Sequence, residues 1–475
     1  MAYKDIRTLM GQLEEKGLLH RIKQEIDWDG ELPAIMRNLY KQGPDGPAVL
    51  FEKVKDSNIP FLSGIMYGDK KYSMLFDTEP NIEAITDHYH KNFNNHIKPV
   101  FVDKAPCQEN IIQGDDVDLW MFPSPKFSPE DGGRYIGTQN VTITRDPETG
   151  IQNCAIYRQM VMDKNKIGVN CEQHSGIHLA KNRQAGVPTP FAAVMSPPPA
   201  VMVAGAGKPP YGVDELELAG GLAGEPIPVV KCITNDLIVP ADAEAILEGY
   251  ILPDSEDWGL EGPFGEFHGH HNDSVPKKRP TAIITCITHR NNPVMLGTPP
   301  GVGPNELTYS GKISYLASNM AMLRASGIPG VKAVNVTEMS GGCQVCVVQL
   351  TGKPFYRGIP QACMYSLFSH NNFPKFVVVV DDDIDIYDDG MVQWAIASRV
   401  QPHRDIIITP FNSWGCALDP SIPFEHRGHP KSTTSRMGID ATKYFKDDVV
   451  FSSLVRDTPE MEAHVKAIWK DLGFK

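Results

Sequence analysis

Short runs of β-branched and apolar residues alternate with turns rich in glycine and proline between residues 137 and 287. Glycine and proline interrupt a helix or a strand, so each run forms an element of its own. Regular spacing of such runs is typical of an antiparallel sheet or barrel. We therefore predict a β-rich central part with a helix near 177–185; its strand runs are 140–144, 159–162, 192–195, 228–233 and 281–287.

The segments on either side of this part have a different pattern. Asp5 can cap a first helix whose apolar face starts at Ile6. After Leu296, helix-like and strand-like runs alternate, which indicates an α/β layer with some parallel pairing. A chain of 475 residues is too long for one ordinary core. We expect an N-terminal α/β region at 1–114, a central part at 115–300 that starts with a linker-like segment, 115–127, and a C-terminal α/β domain at 301–475, whose last helix, 461–472, can dock on a partner subunit.

The composition excludes several classes of protein. The net charge is −13 and the chain has no dense run of Lys and Arg, which argues against a nucleic-acid binder. The first ten residues lack the apolar core of a secretory signal, and the most apolar stretch, 192–205, is interrupted by three prolines. Nine dispersed cysteines fit free thiols in a reducing compartment. We expect a cytoplasmic protein without a membrane span.

The hexapeptide Glu261-Gly262-Pro263-Phe264-Gly265-Glu266 places two carboxylates around a rigid core. Glycine and proline exclude a helix here and fix the backbone in a turn, which gives each carboxylate a set direction. Two carboxylates held close together cannot both ionise freely, so one tends to keep a proton near neutral pH unless a cation intervenes. The pattern suits a general acid; the alternative is a tight turn with two solvated glutamates.

Asn153 and Arg158 lie together in one strand-like segment. In a strand, residues five apart point to opposite faces, so a bend is needed before both can serve one site. Arg158 could hold a substrate carboxylate through a forked pair of hydrogen bonds, or it could be an ordinary surface arginine.

His174 and Glu215 complete a possible set of metal ligands with Asn153. His174 and His178 have the i, i+4 spacing of a metal-binding helix, but no Glu follows the first His as it does in zinc proteases. A capped helix start with one ordinary histidine is the alternative, and Glu217 would share a face with Glu215 if that segment were a strand. An Asn, His and Glu set suits a hard divalent ion such as Mn²⁺ or Mg²⁺. Spacing alone does not bring the three residues together.

Four further patterns favour a structural interpretation. Histidines after the hexapeptide favour an exposed turn, and a lone C-x-x-C pair favours packing. Aspartates after a buried strand favour a solvated loop, and a Gly-x-Gly-Lys stretch followed by proline lacks the Ser or Thr of a phosphate loop. In order, these are His268, His270 and His271; Cys343 and Cys346; Asp381, Asp382, Asp383 and Asp385; and Gly205 to Lys208.

Taken together, these stretches resemble the UbiD-type decarboxylases, which use prenylated FMN. The resemblance covers nearly the whole chain, and it rests on the order and spacing of the motifs rather than on any one of them. The motifs are Asp5-Ile6-Arg7, 153–158, Gln173-His174, Glu215 with Ala219-Gly220, 239–249, 261–266, 375–383 and 437–442.

The resemblance implies a fold and a set of cofactors. It implies an α+β or α/β multidomain fold in which a central split β-barrel binds the flavin, with flanking α/β regions and C-terminal dimer contacts. It also implies that a divalent ion, usually Mn²⁺, with K⁺ nearby, clamps the cofactor phosphate. The implied metal ligands are Asn153, His174 and Glu215, and the implied cofactor-binding residues are Asn153, Cys154, Ala155, Ile156, Tyr157, Arg158, Gln173, His174, Glu215 and Lys375.

The resemblance also implies a reaction: reversible, non-oxidative decarboxylation of an aromatic, hydroxybenzoate-type, or α,β-unsaturated carboxylic acid. Arg158 would orient the substrate carboxylate and keep Glu261 ionised, and Glu266 would protonate the carbon after CO₂ leaves. Many members have Thr-Gly-Tyr-Tyr where this chain has His-Gly-His-His at 268–271, so the substrate stays open. The histidines could contact a substrate hydroxyl or second carboxylate, or face water.

Partners follow from the same resemblance. A flavin prenyltransferase would supply the cofactor, and a homodimer or homohexamer is expected. One alternative is a non-catalytic or assisting subunit of a multi-subunit aromatic carboxylase. Another is a glycosidase that uses the paired glutamates, but this leaves Asn153, His174 and Glu215 without a role.

Overall fold

The structure of the protein is a computed structural model. It describes residues 4–171, 173–207, 209–352, 356–369, 374–410, 413–416, 418–427, 432–444, 446, 450–452 and 455–474, and for Gln173 and Trp414 the backbone alone. None of the helices within these ranges combines the length and the apolar character that a membrane crossing needs.

The N-terminal part packs helices on a small mixed sheet. Asp5 caps the first helix by accepting a hydrogen bond from the Thr8 amide at 2.8 Å, and Ile6 is buried, so the predicted first helix is confirmed. The strand Met295–Leu296 adds to the edge of this sheet and ties the end of the central part to it. The elements are α1 (Ile6–Glu15), β1 (Leu19–Ile26), α2 (Glu31–Tyr40), β2 (Ala48–Val54), β3 (Phe61–Ser63), α3 (Asp69–Met74), α4 (Ile82–Asn92) and β4 (Val100–Phe101).

The central part carries the long sheet that the sequence predicts. Residues 115–127 are irregular, as expected, but they are not a free linker, because Val117, Leu119, Phe122 and Phe127 are buried. The elements are β5 (Asn110–Gln113), β6 (Tyr135–Gly137), β7 (Val141–Arg145), β8 (Gln152–Ala155), β9 (Gln159–Asp163), β10 (Lys166–Val169), α5 (Gln173–Gln184), β11 (Thr189–Met195), α6 (Pro199–Gly205), α7 (Glu215–Ala223), β12 (Pro228–Lys231), β13 (Ile238–Pro240), β14 (Ala245–Ile251), β15 (Leu260–Glu261), β16 (Lys277–Lys278), β17 (Thr281–His289) and β18 (Met295–Leu296).

The central sheet runs in the order β6-β9-β10-β17-β14-β11-β7-β8, with β5 added to one end of β17. Its pairings are antiparallel, which confirms the prediction. The predicted run at 228–233 is a strand, β12, but it belongs to a separate small sheet with β13 and β4.

The connection between β8 and β9 shows that this sheet curls. Three residues, 156–158, join the two strands, so the chain from Ala155 to Gln159 spans at most about 14 Å. In the order of the sheet these strands are six pairings apart, which in a flat sheet is about 29 Å. The sheet must therefore bend round until its edges approach. Among the described residues no pairing joins β6 to β8, so the curled sheet stays open.

The C-terminal part is an α/β layer with a five-stranded sheet. In the order in which they pair, its strands are β19 (Val331–Val336), β20 (Val345–Leu350), β21 (Phe376–Asp381), β25 (Met437–Asp440) and β22 (Ile406–Ile408). The two pairings next to its central strand are parallel, as predicted, and the outer two are antiparallel. The elements are α8 (Glu306–Ala325), β19 (Val331–Val336), β20 (Val345–Leu350), α9 (Ile359–Phe368), β21 (Phe376–Asp381), α10 (Asp389–Arg399), α11 (Pro402–Asp405), β22 (Ile406–Ile408), β23 (Ser413–Trp414), β24 (Thr433–Thr434), β25 (Met437–Asp440) and α12 (Pro459–Ile468).

The solvated loop predicted at the end of β21 is confirmed only in part. Asp382 and Asp385 are exposed, as predicted. Asp381 is fully buried, 3.5 Å from Arg399, and Asp383 binds both Arg399 at 2.8 Å and Lys443 at 2.7 Å. The prediction is wrong for these two because α10 and the segment after β25 bring two cations to the end of the strand.

Two smaller predictions about the C-terminal part can be compared with the structure. Cys343 and Cys346 are buried free thiols in an apolar cluster, as the packing interpretation expects, and all nine cysteines are free. Helix α12 has no buried residue in the isolated chain.

Candidate active site

Arg158 lies in the three-residue link that crosses the gap between β8 and β9. Asn153 lies on β8, so this link is the bend that the pair requires. The side chain of Arg158 is 5% exposed, which excludes the surface-arginine alternative. A guanidinium this deeply buried needs anionic partners, because an unpaired interior charge is strongly destabilising.

The turn at 261–266 supplies those partners on a fixed platform. The Gly265 amide donates a hydrogen bond to Asp131 Oδ1 at 2.9 Å, which anchors the middle of the turn. Gly132 packs so closely that a Cβ there would lie 1.8 Å from the Gly262 carbonyl oxygen, so only glycine fits. The turn predicted from the hexapeptide is therefore held by its neighbours as well as by its own backbone.

Arg158 binds both carboxylates of this turn. Its Nε and Nη2 donate to the two oxygens of Glu261, each at 2.9 Å, and its Nη1 donates to Glu266 Oε1. Burial acts to lower the pKa of Arg158, but the two carboxylates outweigh it and raise that pKa above its ordinary value. Glu261 is completely buried and Glu266 nearly so, so the alternative of two solvated glutamates is wrong.

The guanidinium keeps donors in reserve. A guanidinium has five N–H groups, and the contacts to Glu261 and Glu266 use one each on Nε, Nη1 and Nη2. One N–H on each terminal nitrogen makes no contact with Glu261 or Glu266 and can donate to a further anion.

Two residues that the sequence did not single out also hold the carboxylates. Tyr135 Oη donates to Glu261 Oε1 at 2.8 Å, and Asn272 Nδ2 donates to Glu266 Oε1 at 2.7 Å. Asn272 is close to the hexapeptide in sequence, so a polar residue just after the turn was a usable signal. Tyr135 is 126 positions from Glu261, and nothing in its own segment marks it.

A second group of polar residues lies at β8. The Asn153 amide nitrogen donates to Ser175 Oγ at 2.9 Å, which leaves the amide oxygen as the atom suited to a hard cation. The Cys154 amide donates to Glu215 Oε2 at 2.7 Å, which leaves the other carboxylate oxygen. Asn153 and Glu215 are both buried. Asn153 lies on β8, and Glu215 contacts the next residue of that strand, Cys154.

Glu215 is the first residue of α7, so the alternative of a strand at 211–220 is wrong. Residues two apart on a helix differ by about 200° in direction, and Glu217 accordingly does not share the buried position of Glu215. Burial raises the pKa of Glu215 to about 8. No Lys, Arg or His of the described ranges forms an ion pair with it. A buried carboxylate in this state is stabilised by any cation that binds beside it.

His174 lies in the first turn of α5 and lines the same small cavity as Asn153. Burial lowers the pKa of His174, which favours the neutral imidazole that metals bind. His178 lines the same cavity, but its Nδ1 is already hydrogen-bonded to Thr144 Oγ1 at 2.9 Å. Within the described ranges no group of three or more His, Cys, Asp or Glu residues could hold a metal. The predicted set contains only two residues of these types, His174 and Glu215, because its third member is Asn153.

The remaining cofactor-binding predictions fall on the same strand and on two other places. Cys154 is buried, whereas Ala155, Ile156 and Tyr157 are half-buried. Gln173 begins α5, and its side chain lies outside the described residues. Lys375 precedes β21, and its Nζ donates to Asp419 at 2.8 Å and to Ser421 at 2.7 Å rather than to either group above.

The histidines after the turn are not equivalent. His270 is exposed, as predicted, but His268 and His271 are partly buried. The segment folds back on the C-terminal part, where His268 packs against Gly341. Burial lowers the pKa of His268 to about 4, although a hydrogen bond with the Leu418 backbone acts in the opposite direction.

Three family models match the chain. They are the N-terminal domain of 3-octaprenyl-4-hydroxybenzoate carboxy-lyase at residues 10–88, its Rift-related domain at 98–303 and its C-terminal domain at 308–441. The central model contains both polar groups described above.

Relatives and solved structures match over the whole length. A protein of Archaeoglobus fulgidus, described as uncharacterized, is 32% identical over 501 aligned positions that cover 99% of both chains. HmfF, a UbiD-class enzyme from Pelotomaculum thermopropionicum solved in complex with FMN, is 31% identical with a TM-score of 0.85, over 96% of this chain and 98% of that one. An evolved dimeric form of HmfF was solved with prFMN. Vanillic acid decarboxylase of Sedimentibacter hydroxybenzoicus is 28% identical with a TM-score of 0.84, over 99% and 100%.

These matches agree with one another in family and in extent. They include every part of the fold from the first helix to the C-terminal sheet, and the solved relatives are flavin-binding or decarboxylating enzymes. The chain therefore belongs to the UbiD family of prenylated-FMN-dependent carboxy-lyases.

Proposed function

We propose that the protein catalyses the reversible, non-oxidative decarboxylation of an aromatic, hydroxybenzoate-type, or α,β-unsaturated carboxylic acid with prenylated FMN. The observation that carries this proposal is the buried guanidinium of Arg158 bound to both Glu261 and Glu266. In a member of this family, that arrangement provides one carboxylate-binding cation, one fixed anion and one group that can carry a proton.

The proposed cofactor site fits the residues present. Asn153, His174 and Glu215 offer an amide oxygen, a neutral imidazole and a buried carboxylate, which suit Mn²⁺, and we propose K⁺ beside it. The curled sheet would be the split barrel that binds the flavin, with residues 153–158 at its edge, Gln173 at the start of α5 and Lys375 before β21 of the C-terminal sheet. Lys375 would have to share its ammonium between Asp419 and the cofactor phosphate. When bound, the modified flavin supplies the sink for the electrons left as CO₂ departs.

The chain's own residues then have distinct tasks. The two unused N–H groups of Arg158 orient the substrate carboxylate. The forked pair with Arg158 and the Tyr135 hydroxyl keep Glu261 ionised. A substrate carboxylate that draws on Arg158 weakens its hold on Glu266, so Glu266 binds a proton more readily. Glu266 delivers that proton to carbon after CO₂ leaves, and removes it in the reverse direction.

The test is Glu266→Gln in protein co-produced with a flavin prenyltransferase. We expect kcat for CO₂ release, measured on a panel of hydroxybenzoic and α,β-unsaturated acids, to fall by about 10²- to 10⁴-fold. Flavin content, read from the absorption spectrum and mass of the released cofactor, should not change. Glu256→Gln, a glutamate whose side chain is 83% exposed, is the matched control and should keep full activity. Loss of flavin from Glu266→Gln, or equal turnover, would contradict the proposed role.

The oligomeric state and the division into domains are also proposals. We propose a homodimer or homohexamer in the cytoplasm, with α12 as the oligomerisation helix, because its exposed face and the residues after it carry large apolar side chains: Met461, Trp469, Leu472 and Phe474. The division at 1–114, 115–300 and 301–475 is also a proposal. The flavin prenyltransferase is proposed as supplier of the cofactor, not as a bound subunit.

A second candidate function is that of an assisting subunit in a multi-subunit aromatic carboxylase. It is favoured by one observation: the similar vanillic acid decarboxylase is a two-subunit VdcCD complex. Turnover of any aromatic acid by the purified single chain, loaded with prenylated FMN, would exclude a requirement for a second subunit.

A further inference from the structure

Tyr211 lies beside the proposed metal pocket and has no role in the scheme above. It belongs to the loop between α6 and α7, four residues before Glu215. Its ring meets the His174 imidazole edge on, with ring centres 5.3 Å apart, and the His178 imidazole at 5.9 Å. One side chain thus touches the proposed ligand His174 while its own loop leads directly into the proposed ligand Glu215.

The hydroxyl of Tyr211 is anchored on a buried carboxylate. It donates to Asp146 Oδ2, and Asp146, at the end of β7, is 1% exposed. Lys181 of α5 binds the same carboxylate at 2.8 Å, and its Nζ lies 5.8 Å from the centre of the Tyr211 ring. Because β7 and α5 both belong to the rigid central part, Asp146 and Lys181 give the loop a fixed attachment point.

The loop also forms a wall of the pocket. Asp146, Asn153, His174 and Tyr211 line one small cavity, and the neighbouring residues Gly212 and Val213 line both this cavity and a wider one of about 420 Å³. Tyr211 itself is 41% exposed, and its hydrogen bond to Asp146 ties this part of the loop to the end of β7.

We propose that Tyr211 is a positioning residue of the metal site: its ring orients the His174 imidazole, and its bond to Asp146 fixes the loop that places Glu215. The proposal rests on the metal site of the proposed function. Residues that orient metal ligands without touching the metal typically contribute 10- to 100-fold to metal affinity.

The experiment measures Mn²⁺ binding to the purified full chain with FMN present, by the EPR signal of free Mn²⁺. We expect Tyr211→Ala, which removes ring and hydroxyl, to raise the Kd for Mn²⁺ by about 10- to 100-fold. Tyr211→Phe keeps the ring and removes the bond to Asp146, so it should raise the Kd less. Tyr250→Phe, which removes a hydroxyl bonded to the Thr234 carbonyl at 2.8 Å outside this pocket, is the matched control and should leave the Kd unchanged.

Three outcomes decide the matter. A wild-type Kd in folded Tyr211→Ala, with folding checked by its thermal melting curve, would overturn the positioning role. Should Tyr211→Ala fail to fold, a wild-type Kd in Tyr211→Leu, which also lacks the aromatic ring and the hydroxyl, would overturn it equally. If the wild-type chain binds no Mn²⁺, or if Glu215→Gln binds it as well as wild type, the metal site of the proposed function fails, and the inference fails with it.

Discussion

The two polar groups at the curled edge of the central sheet handle charge in opposite ways. In the first, Arg158 binds Glu261 and Glu266 with hydrogen bonds inside the chain, and Arg279 lies 3.9 Å from Glu261. In the second, Glu215 is also buried, and none of the described residues supplies a cation to it. Asn153 of the second group is only five positions before Arg158 of the first.

This difference shows which part of the site the chain can form alone. A buried carboxylate paired with a guanidinium is compensated by the polypeptide. A buried carboxylate without a cation costs free energy until a cation arrives. The hydrogen bonds of the first group are made within the chain, whereas a cation bound beside Glu215 would stabilise the second group.

The largest expected effect comes from removing the internal cation. Arg158→Ala removes the guanidinium that binds both Glu261 and Glu266. Tyr135, Asn272 and the more distant Arg279 still contact these carboxylates, but the close charge pairs are lost, so we expect the unfolding free energy of the cofactor-free protein to fall by about 3–5 kcal/mol. Chemical denaturation of the apo-protein measures it. Arg21→Ala breaks a solvent-exposed pair with Glu14, and as the matched control it should cost about 0–1 kcal/mol. Equal losses of unfolding free energy in Arg158→Ala and Arg21→Ala would show that Arg158 does not stabilise the buried carboxylates of the first group.

The second effect concerns Glu215 and has the opposite sign. Burial raises the pKa of Glu215 to about 8, so near neutral pH this group must take up a proton when the chain folds. Glu215→Gln removes that cost and keeps an oxygen for the Cys154 amide, so we expect the cofactor-free protein to become more stable, by about 2 kcal/mol. If the metal site is as proposed, the increase in Tm that Mn²⁺ causes in the wild-type protein should disappear in this variant. Differential scanning calorimetry with and without Mn²⁺ measures both. The half-exposed Glu217, changed to Gln, is the control that should alter neither.

The smallest expected effect is a loss of stability at acid pH that is caused by the partly buried His268. This ring faces His270 and Arg427, which disfavour its protonation, and Asp419, which favours it. Its pKa is lowered to about 4 in the folded chain from about 6.5, so its contribution to stability is present above pH 6.5 and is lost as the pH falls towards 4. We expect His268 to lower the unfolding free energy by about 1 kcal/mol between pH 7 and pH 5. This loss should disappear in His268→Gln but not in His270→Gln, as measured by chemical denaturation at the two pH values.

Local sequence predicted most elements because their determinants are neighbours along the chain. Asp5 caps the helix that follows it, and Gly and Pro of the hexapeptide make a turn wherever they occur. The strand runs of the central part were identified for the same reason. The Asn153, His174 and Glu215 set and the roles of Arg158, Glu261 and Glu266 came from family resemblance, and those roles stay predictions that the structure's geometry supports.

Long-range contacts account for what the sequence could not predict. Asp381 follows a buried strand, which favours a solvated loop, yet Arg399 and Lys443 enclose that strand end from two later elements. Tyr135 carries no mark of its contact with Glu261. The sequence did not single out Tyr211, whose hydroxyl reaches Asp146, 65 positions away, only in the folded chain.

The sequence by itself determined the helices, the strands, the rigid turn and the family of this protein. The tertiary structure decided which buried carboxylates have a cation beside them among the described residues and which do not. The physical reason is distance along the chain: backbone conformation depends on adjacent residues, whereas Arg158 and Glu261, 103 positions apart, become an ion pair only after the sheet has curled.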